Sequence, residues 1–151
     1  MYLNEFGKRL HDLMEMEHIS KRKLSLAIKA DRKSVRLWME GENFPKPIAL
    51  IRLAVYFNVR IDYLLGLEDN ICDAVNSFSI TEKEMQQRFY KYLTEYMTSS
   101  DLTIYALSKK LDIDQKAVTN WFKKGSVPEV STIIKLGQLM KVSLQELLIG
   151  E

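Results

Sequence analysis

Positively charged side chains are concentrated in one short stretch of this 151-residue chain. Residues 20–36 carry seven basic residues against a single acidic one, Asp31. The basic residues are Lys21, Arg22, Lys23, Lys29, Arg32, Lys33 and Arg36. Side chains of this kind can hold phosphate groups, and arginine can also hydrogen-bond to the edges of bases. A run of charge is also typical of the solvated face of a helix, so the elements around it must decide between the two interpretations.

No set of residues typical of catalysis or of metal binding is recognisable. The histidines are His11 and His18, and Cys72 is too distant in sequence to complete a metal-ligand pattern with them. Neither a glycine-rich phosphate loop nor a nucleophile with a neighbouring base is present. We therefore expect no enzymatic activity, no metal and no cofactor.

The composition narrows the class of protein further. Hydrophobic residues make up 46% of the chain and charged residues 28%, which is typical of a soluble globular protein. A single cysteine cannot form an internal disulfide and fits a reducing compartment. We find no run of 18 apolar residues and no leader of basic and then apolar residues, so the sequence predicts a cytoplasmic protein without membrane contact.

The chain contains an internal repeat. Residues Phe6–Leu65 align without a gap with Phe89–Leu148, at a shift of 83 positions, and 16 of the 60 aligned pairs are identical. Such a repeat predicts two copies of one small module. We assign residues 1–66 to the first domain, 67–80 to a connecting segment and 81–151 to the second domain. Copies of this size lie near the lower limit for independent folding, so mutual packing or dimerisation would help them.

Apolar residues in both copies follow helical spacing, and no stretch alternates as a strand would. The pattern predicts an all-α fold with five helices in each copy, the first running from about Leu3 to Met16. The predicted N-caps are Ser20 and Asp31 in the first copy, and Thr81, Thr103 and Asp114 in the second. The fourth helices follow the Pro45–Pro47 pair and Pro128, and the final turns are Ile61–Leu65 and Leu144–Leu148. Ile71, Val75, Phe78 and Ile80 predict that the connecting segment packs against the two copies.

The second and third helices of each copy are the most informative elements. Two short helices joined by a tight turn must approach closely, and Ser25 and Ser108 supply a small residue where they cross. The apolar residues expected to pack inward are Leu24, Ile28, Val35 and Trp38, with Trp121 in the second copy. The first turn and the outer face of the third helix would then be exposed, which is the geometry that fits the major groove of DNA.

At these positions the sequence resembles the lambda-repressor-like (Cro-type) helix-turn-helix family, over about 120 of the 151 residues. The resemblance implies two tandem five-helix DNA-binding domains. The chain departs from the family at the turn, where the usual glycine is Lys29 in one copy and Asp112 in the other. It also departs at the glutamine that usually opens the second helix, which is Lys21 and Ile104.

Carried over position by position, the resemblance assigns base-reading and phosphate-contacting residues. The base-reading residues are Arg32, Lys33, Ser34 and Arg36 in the first copy, and Gln115, Lys116, Thr119 and Asn120 in the second. The phosphate-contacting residues are Lys21, Arg22 and Lys23. The alternative is that these side chains form only the solvated side of a helix.

The sequence therefore predicts a sequence-specific transcriptional regulator, most simply a repressor, that binds double-stranded DNA with two modules. In the alternative, one module binds DNA and the second serves as a dimerisation or protein-partner domain, as in antitoxin-like or phage regulatory complexes. A homodimer is compatible with both interpretations. The sequence does not identify a small-molecule effector.

Overall fold

Two groups of helices make up the part of the chain that the computed structural model describes, residues 2–69 and 81–150. Within this part the chain is helical and contains no strand. It divides into two compact units, Met1–Ser79 and Ile80–Glu151. The first unit contains α1 (Tyr2–Met16), α2 (Lys21–Ile28), α3 (Arg32–Met39), α4 (Pro47–Phe57) and α5 (Ile61–Leu64). The second unit contains α6 (Glu82–Ser99), α7 (Ile104–Leu111), α8 (Gln115–Lys124), α9 (Val130–Met140) and α10 (Leu144–Leu148).

Local capping signals set where the helices begin. The five N-caps predicted from the sequence are confirmed, because each side-chain oxygen accepts a hydrogen bond from a backbone N–H in the first turn of its helix. The N–H lies three residues after the cap, except at Asp114, where it belongs to Lys116. Pro47 occupies the first turn of α4, where its missing N–H leaves no donor unsatisfied. Helix starts were therefore predictable from short segments of sequence.

The backbone leaves the helical region at equivalent positions of the two units. Six non-glycine residues adopt positive φ within the described residues, and they form three pairs separated by 83 positions. The pairs are His18 with Asp101, Lys29 with Asp112, and Asn58 with Lys141. Since no pair has the same side chain in both units, the shared left-handed conformation reflects the path of the backbone rather than a retained residue type.

The residues predicted to pack inward form the core of the first unit. Leu24, Ile28, Val35 and Trp38 are at most 5% exposed. The small residues at the helix crossings are buried as well, with Ser25 at 6% and Ser108 at 2% exposure. In the second unit the corresponding apolar residues Leu107, Leu111, Val118 and Trp121 are also buried. This packing holds α3 and α8 by one face only.

A close approach between backbones fixes α3 against α1 in the first unit. A Cβ atom added to Gly7 would lie 2.7 Å from the carbonyl oxygen of Trp38 and 2.9 Å from that of Met39. The corresponding residue of the second unit is Tyr90, whose ring lies 6.0 Å from that of Phe122 and whose hydroxyl donates to the carbonyl of Ser126. Gly7 therefore gives the first unit a helix contact that a larger residue cannot make.

We expect Gly7→Ala to destabilise the first unit by about 1–3 kcal/mol, because α1 and α3 must separate to accept the added methyl group. Urea unfolding followed by circular dichroism measures the change. The exposed neighbour Lys8, replaced by alanine, is the control and should change stability by no more than about 0.5 kcal/mol. Alanine favours helices more than glycine does, so Gly7→Ala would stabilise α1 if no backbone lay close to it. A gain in stability would therefore contradict the close approach of α1 to α3.

The first residues of the predicted connecting segment are attached to the first unit. The guanidinium of Arg9 donates to the carbonyl oxygens of Tyr63 and Glu68 and to the carboxylate of Asp69. Arg60 forms a 3.0 Å ion pair with Glu68. The predicted packing of Ile71, Val75, Phe78 and Ile80 lies outside the described residues. Among the described helices, none has both the length and the apolar character needed to cross a membrane.

Candidate nucleic-acid interface

The turn between α2 and α3 adopts the left-handed conformation even though it lacks the usual glycine. Lys29 ends α2 with φ 60° and ψ 44°, in the left-handed region. The N–H of Ala30 then donates to the carbonyl of Ser25 at 2.9 Å, and the Ser25 hydroxyl donates to the carbonyl of Arg22 at 2.8 Å. The second unit repeats this turn with Asp112 and with the Ser108 hydroxyl bonded to the carbonyl of Tyr105. Neither unit therefore needs a glycine to form the turn.

We expect Lys29→Gly to stabilise the first unit by up to about 1 kcal/mol. A residue with a Cβ atom loses roughly 1–2 kcal/mol of stability in the left-handed region, and glycine avoids this cost. Part of the gain is offset because glycine is more flexible in the unfolded chain. The midpoint of urea unfolding reports the change. Ala30→Gly is the matched control. Because Ala30 has no positive φ, this substitution should only lower the stability of the first unit. A destabilisation at Lys29 equal to that at Ala30 would contradict the predicted gain.

Helix α3 exposes the residues predicted to read bases. Arg32, Lys33 and Arg36 are exposed and Ser34 is partly exposed, while Val35 and Trp38 are buried on the opposite side. Val35 and Trp38 attach the helix to the core, so Arg32, Lys33 and Arg36 share the side that faces away from it, and Ser34 lies nearer the buried side. The structure therefore brings these four side chains together on a single accessible helix.

A capping carboxylate lies at the start of this surface. Asp31 accepts a hydrogen bond from the backbone N–H of Ser34 at 2.6 Å. The hydrogen bonds from Ser34, with a smaller contribution from the charge of Lys33, hold the pKa of the Asp31 carboxyl below its ordinary value of 3.8. The cap is therefore ionised at neutral pH, and it fixes the first turn that carries Arg32 and Lys33.

The three cations of α3 differ in how they are paired. Arg36 lies 3.4 Å from the carboxylate of Glu40, one turn later, and both side chains are about half exposed. A pair this exposed contributes little stability, so a DNA phosphate or base can compete for Arg36. Within the described residues, Arg32 and Lys33 form no salt bridge. Both can bind a ligand without breaking an existing ion pair there.

The predicted phosphate-contacting residues lie together at the start of α2. Lys21, Arg22 and Lys23 form its first turn and are all exposed. The N–H groups of a helix N-terminus also favour anions, so the side chains and the backbone act in the same direction here. In the second unit the same positions hold Ile104, Tyr105 and Ala106, and none of these can pair with a phosphate through a charge.

The second unit has a different set of polar residues on α8. Gln115 and Lys116 are exposed, whereas Thr119 and Asn120 are partly buried. The Thr119 hydroxyl already donates to the carbonyl of Gln115 at 3.0 Å. Two further cations that were not predicted from the sequence, Lys123 and Lys124, are exposed at the end of α8. They follow residues 103–119, the stretch of the second unit that corresponds to residues 20–36. They belong to the same helix as Gln115 because α8 extends to Lys124.

One further group of polar side chains lies on α1. His11, Asp12 and Glu15 have potential metal-ligand atoms within 4.8 Å of one another, although the sequence showed no metal-ligand pattern. His11 lies 3.5 Å from the Glu15 carboxylate and 3.8 Å from that of Asp12. All three residues are exposed, and exposed acidic groups of this kind are common without a metal.

Comparison with known protein families identifies a match in the second unit. Residues 93–147 match the helix-turn-helix family model of the lambda-repressor-like type. This range begins within α6 and ends within α10. Comparison with curated proteins and with solved structures found no match. The second unit is therefore similar to a helix-turn-helix family whose members are typically non-enzymatic, DNA-binding transcription regulators.

Proposed function

We propose that this chain is a sequence-specific transcriptional regulator that binds double-stranded DNA and has two helix-turn-helix modules. The family match supports the assignment for the second unit. For the first unit it rests on the same helix order and on the left-handed turn between α2 and α3. Occupying a DNA site is enough to block transcription, so a repressor is the simplest form of this proposal.

One observation carries the proposal. Helix α3 is fixed to the core by Val35 and Trp38 and presents Arg32, Lys33 and Arg36 on its exposed side. A short helix held in this way can enter the major groove, which displays a distinct pattern of donors and acceptors for each base pair. Two cations in the first turn of a helix oppose the partial positive charge of its N-terminus, so Arg32 and Lys33 favour an anionic ligand over a merely solvated helix face.

The mechanism divides the contacts into two classes. Arg32, Lys33 and Arg36 read base edges, most simply guanine O6 and N7, and Ser34 lies at the edge of the groove. Lys21, Arg22 and Lys23 contact backbone phosphates with the N-terminus of α2 and so set the position of α3 along the duplex. Phosphate contacts supply affinity, and base contacts supply specificity.

Selection of bound oligonucleotides from a random pool tests the proposal and returns the length and symmetry of the site. A defined motif is expected, and its affinity should fall by roughly 1,000-fold or more between 50 and 200 mM salt if six or more phosphates are contacted. Enrichment of no motif, or an affinity indifferent to salt, would overturn the proposed function.

The second unit offers two roles. As a DNA reader it would use Gln115 and Asn120, whose amides suit adenine N6 and N7, together with Lys116 and Thr119. As a protein-binding module it would leave DNA to the first unit. The second role is favoured by the first turn of α7, where Ile104, Tyr105 and Ala106 replace the three cations of α2.

Replacing Gln115 and Asn120 together with alanine separates the two roles. If α8 reads adenines, affinity for the selected site should fall by about 1–3 kcal/mol for each adenine that α8 no longer binds. Because the first turn of α7 carries no cation, we expect no measurable change in a binding isotherm. The control is replacement of the exposed residue Gln87 on α6 by alanine. A decrease in affinity confined to the double variant would assign α8 to DNA.

A further inference from the structure

A groove in the first unit lies beside the phosphate-contacting end of α2. It is formed by the C-terminal half of α1, the turn that follows, the first residues of α2 and Met39 at the end of α3, and its volume is about 690 Å³. Both histidines of the chain, His11 and His18, line this groove together with Glu15 and Lys21. Imidazole and carboxylate groups are ligands that zinc and other divalent transition-metal ions accept in proteins. The groove therefore has the ligand types of a metal site.

His11 and Glu15 are spaced so that one ion can bind both. They lie one turn apart on α1, and the Nε2 atom of His11 is 3.5 Å from a carboxylate oxygen of Glu15. Two ligand atoms of a tetrahedral zinc ion, at bond lengths of about 2.0–2.1 Å, are separated by about 3.3 Å. Two ligands at this helical spacing are also how a single helix holds zinc in known zinc motifs. The two side chains therefore need only a small adjustment to share an ion.

Asp12 is placed to orient the imidazole of His11. Its carboxylate lies 3.8 Å from the Nδ1 atom, the second ring nitrogen. A histidine that binds a metal through one nitrogen usually donates its other N–H to a carboxylate, carbonyl or water, which fixes the tautomer and the orientation of the ring. His11 thus has a carboxylate near each ring nitrogen, Glu15 to share the ion and Asp12 to hold the ring.

A third ligand and a favourable charge complete the site. His18 is exposed in the turn after α1 and lines the same groove, so its imidazole comes from a different segment than the other two ligands. Asp12 and Glu15 carry two negative charges, against one positive charge on Lys21. With neutral histidines, the charge around the groove is therefore net negative, which favours a cation.

The second unit has a groove at the same place that lacks these ligands. Its volume is about 380 Å³, and each residue that lines it lies 83 positions after a residue that lines the first groove. The replacements are Thr94 for His11, Thr98 for Glu15, Asp101 for His18, Ile104 for Lys21 and Phe122 for Met39. The second groove is therefore largely apolar and has no imidazole. Since the same helix order forms without them, the three ligands of the first groove are not needed for the fold.

We propose that the first unit binds one divalent transition-metal ion, such as Zn²⁺, through His11, Glu15 and His18, with Asp12 orienting His11. The bound ion joins the end of α1 to the turn before α2. It adds two positive charges where the net charge is one negative, so the groove beside Lys21 becomes net positive. This site does not depend on DNA. Its regulatory consequence rests on the proposed function: the bound ion should strengthen the contacts of α2 with DNA phosphates.

Isothermal titration calorimetry with Zn²⁺ tests the site on the full chain, without an affinity tag and without DNA. Every protein carries Cys72→Ser, so that a thiolate cannot bind the ion. We expect one ion per chain, with a dissociation constant in or below the micromolar range. His11→Ala and Glu15→Gln should each weaken binding by at least about 10-fold, because even the loss of an orienting group such as Asp12 typically costs about 10–100-fold.

Two further variants sharpen this test. His18→Asn should weaken binding as much as His11→Ala, since asparagine tolerates the left-handed backbone at this position but has no imidazole. Glu17→Gln is the matched control for Glu15→Gln, because Glu17 is an exposed carboxylate outside the groove, and it should keep the wild-type affinity. Circular dichroism should show the same helix content for all variants. Only millimolar binding, or an affinity unchanged in His11→Ala and Glu15→Gln, would overturn the site.

Titration of the selected duplex with and without Zn²⁺ tests the link to DNA. Saturating Zn²⁺ should raise the affinity of the Cys72→Ser chain by roughly 5-fold or more over the same buffer with a chelator. His11→Ala is the control for direct effects of Zn²⁺ on the duplex and should show no such gain. Equal affinities with and without Zn²⁺ would overturn the regulatory consequence. Failure of the DNA-binding proposal is a separate result, since the calorimetry contains no DNA.

Discussion

Replacing Arg32 and Lys33 together with alanine should remove the preference of the protein for its selected DNA site while leaving the first unit folded. Both side chains are exposed in the first turn of α3, and neither forms a salt bridge within the described residues. Their removal therefore breaks no ion pair among those residues. Each good contact to guanine is worth about 1–3 kcal/mol, so removing two should lower the ratio of specific to non-specific affinity by at least about 30-fold.

Titrations of the selected duplex and of a scrambled duplex at one fixed salt concentration measure this ratio. The matched control is Lys8→Ala combined with Arg52→Ala, which removes the same charge from exposed positions on α1 and α4. The control should weaken binding to both duplexes alike, because it changes the net charge without touching α3. If the Arg32 and Lys33 variant kept its preference, α3 would not be the reading element.

Replacing Trp38 with alanine should destabilise the first unit by about 3–5 kcal/mol, the largest stability effect that we predict. Trp38 is 5% exposed, and its backbone carbonyl lies at the close approach of α1 to α3. Alanine leaves a cavity that the neighbouring backbones cannot fill. A domain this small has a total stability of only about 5–15 kcal/mol, so the substitution can leave much of the first unit unfolded.

The two tryptophans allow the effect to be assigned to one unit. The chain has one tryptophan in each unit, so the tryptophan fluorescence of a Trp38→Ala variant comes from Trp121 alone. Circular dichroism should show an early urea transition that Trp121 fluorescence does not share. Trp121→Ala is the matched control, and it should lower the urea midpoint of the second unit instead. A circular dichroism transition unchanged by Trp38→Ala would contradict the structural role of this residue.

Helix starts and core positions were predictable because they depend on short stretches of sequence. A cap and the N–H that it accepts lie two or three residues apart, so Ser20, Asp31 and Thr103 could be assigned from local sequence, and each is confirmed. The periodic apolar residues likewise identified Val35 and Trp38 as buried. The resemblance to the helix-turn-helix family also marked the turn at Lys29, whose left-handed conformation agrees with that of Asp112.

Features that depend on contacts between distant residues were not predictable in this way. The importance of Gly7 comes from the carbonyls of Trp38 and Met39, about thirty positions later in the chain. The groove of the second unit combines residues of α6, α7 and α8, so its apolar character is not evident from any one segment.

The sequence by itself thus determined the helices, their caps, the repeat and the polar residues of the third helix in each copy, because each of these depends on neighbours within a turn or on a constant spacing. Only the tertiary structure decided which surfaces these residues form. It showed that α3 exposes its cations, whereas α7 and α8 border an apolar groove. The physical reason is that exposure and close approach are properties of several packed helices together, and a linear sequence does not specify their distances.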